Sequence, residues 1–133
     1  MKAEELKPQE LRFGNYIKSK ESGFNHIVLG IEDKRVSLDK SKYPYDFLRD
    51  CEPVPLTEEW LLRFGFEKDR YNFIINFGFD FCVEYYYADN IYSFWIYTDD
   101  DWHCILNEIK YVHSLQNLIY ALTGQELTLN EEI

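Results

Sequence analysis

The stretch from residue 71 to residue 102 constrains the fold most, because aromatic side chains recur in it at about every second position. It holds thirteen Phe, Tyr or Trp residues in thirty-two positions. Side chains alternate between the two sides of a β-strand, so a period of two indicates strands rather than a helix. Gly78, residues 88–90 and residues 98–101 are turn signals that divide the stretch. The sequence therefore predicts an antiparallel meander with one side toward a core and one toward water or a partner.

The alternation also assigns residues to the two sides of this meander. Five residues are predicted to form the core side: Phe73, Phe77, Phe79, Phe81 and Val83. Three consecutive tyrosines must place at least one ring on the other side: Tyr85, Tyr86 and Tyr87. Tyrosine is enriched at interfaces because it joins a large apolar body to a polar tip. The second side is thus a candidate binding surface or homodimer seam, although tyrosine can also cover a sheet that has no partner.

The N-terminal part shows shorter strand signals. Residues 11–17, 24–31 and 35–38 are rich in β-branched and aromatic residues and are separated by turn residues. This spacing predicts a small curled antiparallel sheet, an SH3-like half-barrel, which by itself implies no function. Residues 39–55 are predicted to be irregular, because their prolines interrupt regular structure.

Two helices complete a predicted α+β fold. The first follows Thr57, a good N-cap, and ends before Gly65, which suits a left-handed cap. The second is amphipathic, starts near Lys110 and ends at Gly124, because apolar residues between those points share one helical face. Residues 127–129 are expected to add a short strand.

Length and composition favour one domain over residues 1–133, with residues 1–10 as a polar lead-in. The composition is ordinary for a globular protein, with 46% hydrophobic and 29% charged residues. Three cysteines at no ligand-like spacing favour a reducing compartment. No run approaches the ~20 apolar residues of a membrane span, and the first residues do not resemble a signal peptide. We therefore expect a cytoplasmic protein with no membrane partner.

The formal net charge of −10 is concentrated in the second part of the chain. Residues 1–50 hold ten basic and nine acidic side chains, whereas residues 51–133 hold four and fifteen. Direct nucleic-acid binding is therefore not expected, since it needs clustered Lys and Arg, and the N-terminal cations are interleaved with acids. An acidic surface suits a basic protein partner, although it can also serve solubility alone.

Three stretches resemble a family of small uncharacterised proteins from gut anaerobes and their phages or mobile elements. They are residues 11–17, 55–66 and 111–127, which are similar to the family patterns LRxGNYV, PLTEEWLLKFGF and YVHxLQNLxxALTGxEL. The last of these is the most specific, and the loops and aromatic strands are not matched in detail. The resemblance implies a single intact domain in a phage or mobile-element setting. It implies no catalytic residue.

Few residue groups point to chemistry. Asp99, Asp100 and Asp101 lie near His103 and Glu108, and carboxylates with a histidine are metal-ligand types. Adjacent residues of a strand point to opposite sides, however, so a solvated turn is favoured and no metal or cofactor is expected. The cysteines and histidines offer no clear nucleophile pair, and phosphate-binding or dinucleotide motifs are absent from the sequence. An enzyme is not favoured.

Polar residues of the second helix are a further candidate site. They recur at spacings of three and four, which places them along one side of the helix: His113, Gln116, Asn117 and Tyr120. We expect them to anchor nearby backbone groups or to face water. The alternative is a recognition strip, for which His113 and Asn117 are the candidate contacts.

The leading hypothesis is a small interaction protein whose acidic aromatic side binds a basic protein surface. One version is an inhibitor that occupies a nucleic-acid-binding site, because carboxylates can stand in for phosphates. A homodimeric structural protein is the first alternative, and a metal-assisted hydrolase is the second. The candidate interaction residues are Tyr85, Tyr86, Tyr87, Asp99, Asp100, Asp101, His113 and Asn117.

Overall fold

The structure is a computed structural model that describes residues 6–86 and 91–129. It confirms the α+β class, with two antiparallel sheets and two α-helices. The chain divides into two compact units. Unit 1 comprises Met1–Pro55 and Tyr111–Leu118, and unit 2 comprises Leu56–Lys110 and Ile119–Ile133. Organisation as a single domain stays a prediction.

Unit 1 contains a five-stranded antiparallel sheet with the strand order β4-β3-β2-β1-β5. Its strands are β1 (Tyr16–Ser19), β2 (Asn25–Glu32), β3 (Arg35–Leu38), β4 (Asp46–Phe47) and β5 (Cys51–Pro53). β1 pairs with both β2 and β5, and a 3₁₀ turn over Leu48–Asp50 joins β4 to β5. The antiparallel pairing of β1, β2 and β3 confirms the antiparallel sheet that the sequence predicts here.

Two details of unit 1 differ from the sequence prediction. Residues 11–17 do not form one strand: Gly14 turns the chain with a φ of 93°, and β1 begins only at Tyr16. Residues 39–55 are not irregular, since they contain β4, the 3₁₀ turn and β5. β5 tolerates Pro53 because it is an edge strand, where a missing N–H removes no hydrogen bond inside the sheet.

The core of unit 1 follows from strict alternation along short strands. Ile17 in β1 and Val36 in β3 are buried between half-buried neighbours, and Val28 is buried in β2. One cluster of buried residues joins these strands to the chain before and after them: Leu6, Leu11, Ile17, Val28, Val36, Leu38, Leu48 and Cys51.

Unit 2 opens with α1 (Glu58–Arg63), whose two ends are capped as predicted. Thr57 Oγ1 accepts a hydrogen bond from the Trp60 N–H at 3.5 Å. At the other end Gly65 has a φ of 96°, and its N–H donates to the Leu62 carbonyl. The N–H of Phe66 donates to the Leu61 carbonyl, which completes a Schellman motif. Local signals therefore define this six-residue helix.

The predicted meander is the second sheet, with the order β10-β9-β8-β7-β6. Its strands are β6 (Glu67–Asp69), β7 (Asn72–Asn76), β8 (Asp80–Tyr86), β9 (Ile91–Thr98) and β10 (Asp101–Ile109). The sequence did not predict β6. The turn predicted at residues 88–90 lies outside the described residues.

The predicted core side of the meander is confirmed for three of five residues. Phe73, Phe81 and Val83 are buried, and the ring of Phe81 stacks on that of Phe94 with centroids 5.6 Å apart. Phe77 and Phe79 are not core residues, because Asn76 pairs with Asp80 and the chain turns between them. Phe79 is 51% exposed in that turn.

The C-terminal helix α2 (Val112–Thr123) confirms the predicted bounds, but its apolar face is not buried to the end, since Leu122 is 40% exposed. Val112, Leu115 and Ile119 are fully buried, and Gly124 ends the helix with a φ of 73°. Residues 127–129 form no strand, although Leu127 is buried. Among the helices of the described residues, none combines the length and apolar character needed to cross a membrane.

Candidate functional site

The unit 2 sheet has one side that carries aromatic and acidic residues together. The pairing register identifies this side, because residues directly opposite each other on neighbouring strands point the same way. Across the middle of the sheet, Ile74, Cys82, Trp95 and Cys104 lie side by side. We call this side the Trp95 face. The core residues Phe73, Val83 and Phe94 lie on the opposite side.

Two further rows complete the Trp95 face. Toward one end lie Asp69, Asn72, Glu84 and Ser93. Toward the other end lie Asn76, Asp80, Tyr97 and Trp102. Alternation along the strands adds Glu67 and Tyr86 to the same side.

A groove of about 470 Å³ runs over the centre of the Trp95 face. Every residue that lines it belongs to this face: Asp69, Asn72, Ile74, Cys82, Glu84, Tyr86, Trp95 and Trp102. The volume falls within the range of about 300–1,000 Å³ that is typical of ligand sites. It is large enough for one or two amino-acid side chains.

Hydrogen bonds and ring contacts hold the aromatic side chains of this face. The indole Nε1 of Trp95 donates to Ser93 Oγ at 2.8 Å, which fixes the orientation of the ring. Trp102 meets Tyr97 edge to face, with centroids 5.1 Å apart. Trp102 and Tyr86 are 36% and 40% exposed, so both rings are open to a ligand.

The charged side chains at the described positions of the Trp95 face are all negative. Four carboxylates lie on it: Glu67, Asp69, Asp80 and Glu84. Among the described positions assigned to this face, none is Lys or Arg. The nearby Lys68 lies opposite Phe73 on the other side of the sheet and forms an ion pair with Glu58. A hydrogen bond with the Glu84 carboxylate raises the pKa of the Tyr86 hydroxyl.

The predicted tyrosines separate between the two sides of the sheet. Tyr86 lies on the Trp95 face, whereas Tyr85 lies on the opposite side and packs against Tyr92 with ring centroids 4.8 Å apart. Tyr87 lies outside the described residues. Of the three, Tyr86 is therefore the one that the structure places in the groove.

The three predicted aspartates form the hairpin between β9 and β10. Asp99 and Asp100 are its two turn residues, with φ values of 53° and 63°, as in a tight type I′ hairpin turn. Asp101 Oδ1 accepts from the Trp102 N–H at 2.8 Å. All three are exposed at the end of the sheet next to Trp102, so they extend the negative charge of that end. Within residues 6–86 and 91–129, no three His, Cys, Asp or Glu side chains are arranged to hold a metal ion.

His113 and Asn117 belong to unit 1 and lie in a polar network rather than on an open strip. His113 is 3% exposed, and its Nε2 lies 3.4 Å from Glu10 Oε1. Asn117 Oδ1 accepts from Asn15 at 2.8 Å, and its amide donates to the Glu10 carbonyl at 2.8 Å. Neighbouring Gln116 accepts from the Tyr16 N–H at 3.0 Å. These contacts fit the anchoring role, which the sequence favoured over a recognition strip.

Sequence reasoning did not single out Trp95 and Trp102 as site residues. The signal that identifies them is the two-residue turn at Asp99 and Asp100. This turn pairs Tyr97 with Trp102, and alternation then places Trp95 on the same side.

The comparisons with known proteins return no match among protein-family models, curated proteins or solved structures. The resemblance to phage and mobile-element proteins therefore stays a prediction.

Proposed function

We propose that this protein is an interaction module whose Trp95 face binds an arginine- or lysine-bearing segment of a partner protein. The observation that carries the proposal is the composition of one sheet side, where four carboxylates and open aromatic rings occur without a cation among the described positions. A phage or mobile-element setting is part of the same proposal, and it rests on the resemblance of the sequence alone.

Charge and ring chemistry select a cationic side chain as the ligand. A guanidinium group is planar, stacks on aromatic rings and forms paired hydrogen bonds with a carboxylate. Trp is the strongest ring partner for such a cation. Trp95 and Trp102 offer ring surface in the groove, and Asp69 and Glu84 offer carboxylates there. One arginine side chain can therefore contact both kinds of group.

Long-range charge favours the same class of partner. The chain carries a net charge of −10, which attracts a basic surface and speeds the encounter. The carboxylates of the Trp95 face then act at short range. Binding should consequently weaken as salt is added, because the exposed charges are screened beyond a distance of about 10 Å at 0.1 M salt.

A short arginine-rich peptide tests the proposal directly. Its affinity is measured by calorimetry and compared with that of the same peptide in which citrulline replaces arginine. We expect the arginine peptide to bind and the neutral one to bind at least about tenfold more weakly. Equal affinity of the two peptides, or no loss of affinity with added salt, would overturn the proposal.

A matched pair of variants localises the binding. The double variant Asp69→Asn with Glu84→Gln removes two charges from the groove and should weaken the arginine peptide about tenfold. The control Asp50→Asn with Glu59→Gln removes the same charge elsewhere and should leave the affinity within about twofold. Equal losses in the two variants would show that only net charge matters, which contradicts a specific face.

Self-association is a second candidate function, favoured by the exposed edge strand β10. This nine-residue strand pairs with β9 alone in the described sheet, and Ile105 and Leu106 are about two-fifths exposed. An unpaired edge is a template for another strand. Light scattering over a range of concentrations tests it: a monomer at all concentrations excludes the homodimer.

A further inference from the structure

Unit 1 carries a groove whose charge is opposite to that of the Trp95 face. It has a volume of about 700 Å³. The chain before β1 contributes Leu6 and Lys7, and the β2–β3 turn and the start of β3 contribute Lys34 and Arg35. The segment from β4 into the 3₁₀ turn adds Phe47, Leu48 and Arg49. The fold therefore brings together cations that are widely spaced in the sequence.

The charge of this groove is predominantly positive. Lys7, Lys34, Arg35 and Arg49 line it, and Asp33 is the one acidic residue among the lining residues that the structure describes. Arg35 Nη2 forms an ion pair with Glu32 at 2.8 Å, so its charge is partly compensated. The other three cations are enough to balance an anion that carries two negative charges.

Aromatic rings order the two guanidinium groups. Arg35 lies over the ring of Tyr45 at 4.5 Å, and Arg49 lies over the ring of Phe47 at 5.0 Å. Tyr45 and Phe47 meet edge to face with centroids 5.9 Å apart. The side chains of Arg35, Tyr45, Phe47 and Arg49 therefore form one continuous row of contacts. Phe47 is 42% exposed and can accept a further ring.

We propose that this groove binds a mononucleotide-like ligand, that is, a phosphate ester that carries a planar ring. Arginine and lysine are the residues that recognise phosphate, arginine by paired hydrogen bonds and lysine as a point charge. An exposed aromatic ring stacks on a nucleobase. The buried side chains of Leu6 and Leu48 give the groove an apolar floor for the uncharged part of the ligand. This proposal does not depend on the function proposed for unit 2.

Size and net charge favour a small ligand over a polyanion. A volume of about 700 Å³ lies within the range of small-molecule sites. A nucleic-acid strand would also meet the net charge of −10 at long range, whereas a mononucleotide needs only the local cations. An acidic peptide brings carboxylates but lacks the planar ring that Phe47 can stack on.

Adenosine monophosphate is the probe for the test, with the full chain and calorimetry or NMR titration. We expect saturable binding, displacement of the nucleotide by inorganic phosphate, and at least about tenfold weaker binding of adenosine, which lacks the phosphate. Absence of saturable binding would overturn the proposal. Tighter binding of a single-stranded hexanucleotide or a glutamate-rich peptide than of the mononucleotide would overturn it as well.

Variants separate the cations from the ring. Arg49→Glu should weaken the nucleotide about tenfold or more, whereas Lys42→Glu, the same charge change on unit 1 but outside the groove, should change it less than about twofold. Phe47→Leu should weaken the nucleotide more than it weakens inorganic phosphate, because it removes the ring that stacks on the base as well as the ring beneath Arg49. Equal effects of Arg49→Glu and Lys42→Glu would contradict the site. The phosphate competition on the unmodified protein decides the question even if Arg49→Glu does not fold.

Discussion

The side-chain amide of Asn15 donates a hydrogen bond of 2.8 Å to Oδ1 of Asn117, a residue 102 positions later in the chain. Asn15 is fully buried, and Arg12 Nε donates to the same oxygen of Asn117 at 3.2 Å. The contact ties the segment before β1 to α2 within unit 1. It also decides how Asn117 should behave when it is mutated.

We predict that Asn117→Ala lowers the free energy of unfolding by about 1–3 kcal/mol, because it removes the nearer acceptor of the buried Asn15 amide and leaves Gln116 Oε1 at 3.5 Å. Urea denaturation measures the change. A recognition strip predicts the reverse, namely an unchanged stability and a lost partner. Tyr120→Ala, an exposed position on the same helix, is the control and should cost less.

Acid should destabilise the fold through His113. Burial lowers the pKa of its imidazole, and the Glu10 carboxylate opposes this only in part. The unfolded chain then takes up a proton near its ordinary pKa of about 6.5, at a pH where the folded protein does not. The unfolded state therefore binds more protons below that pH, and stability falls as the pH decreases.

The measurement is the melting temperature between pH 7.5 and 5.5. His113→Gln should flatten this dependence. The same slope in the protein and in His113→Gln would contradict the assignment.

The three cysteines should differ in reactivity. Burial raises the pKa of Cys51 to about 12 and that of Cys82 to about 11, whereas Cys104 is exposed on β10. Because the thiolate is the reactive form, a disulfide reagent at pH 8 should label Cys104 quickly and the other two only after unfolding. Cys104→Ser should abolish the fast phase. Rapid labelling of two or three thiols in the folded protein would contradict the burial.

Gly65 should be sensitive to substitution for a purely conformational reason. Its φ is 96°, and a Cβ added there would meet no atom within 4 Å. Gly65→Ala should therefore cost about 1–2 kcal/mol of unfolding free energy from the left-handed backbone alone. Gly30→Ala is the control, because Gly30 is not in that conformation and its Cβ would meet Ser37 at an ordinary 3.6 Å.

The sequence predicts those parts of the fold that depend on residues close together in the chain. Helix α1 was predictable because Thr57 and Gly65 cap it on their own, and the meander was predictable because its aromatic residues alternate. β6 was missed because its residues, Glu67–Asp69, are all polar and exposed, and only pairing with β7 makes them a strand. β5 was missed because Pro53 is unfavourable in a central strand but acceptable at an edge.

The sequence predicts the chemical character of the candidate site but not which residues form it. Charge and aromatic density predicted an acidic aromatic side, yet the register alone decides that Tyr86 and Trp95 share it and that Tyr85 does not. Helical periodicity could not predict that Gln116 is buried, because its hydrogen-bond partners Gly14 and Tyr16 lie about 100 residues away in the chain.

The most direct test of the Trp95 face uses the three tryptophans of the chain. Each gives one indole N–H signal in an NMR spectrum, and the arginine-rich peptide is titrated into labelled protein. We predict that the signals of Trp95 and Trp102 shift in a saturable way while that of Trp60, which is buried in α1, does not. A shift of Trp60 alone, or no shift of Trp95 and Trp102 when the peptide is bound, would contradict it.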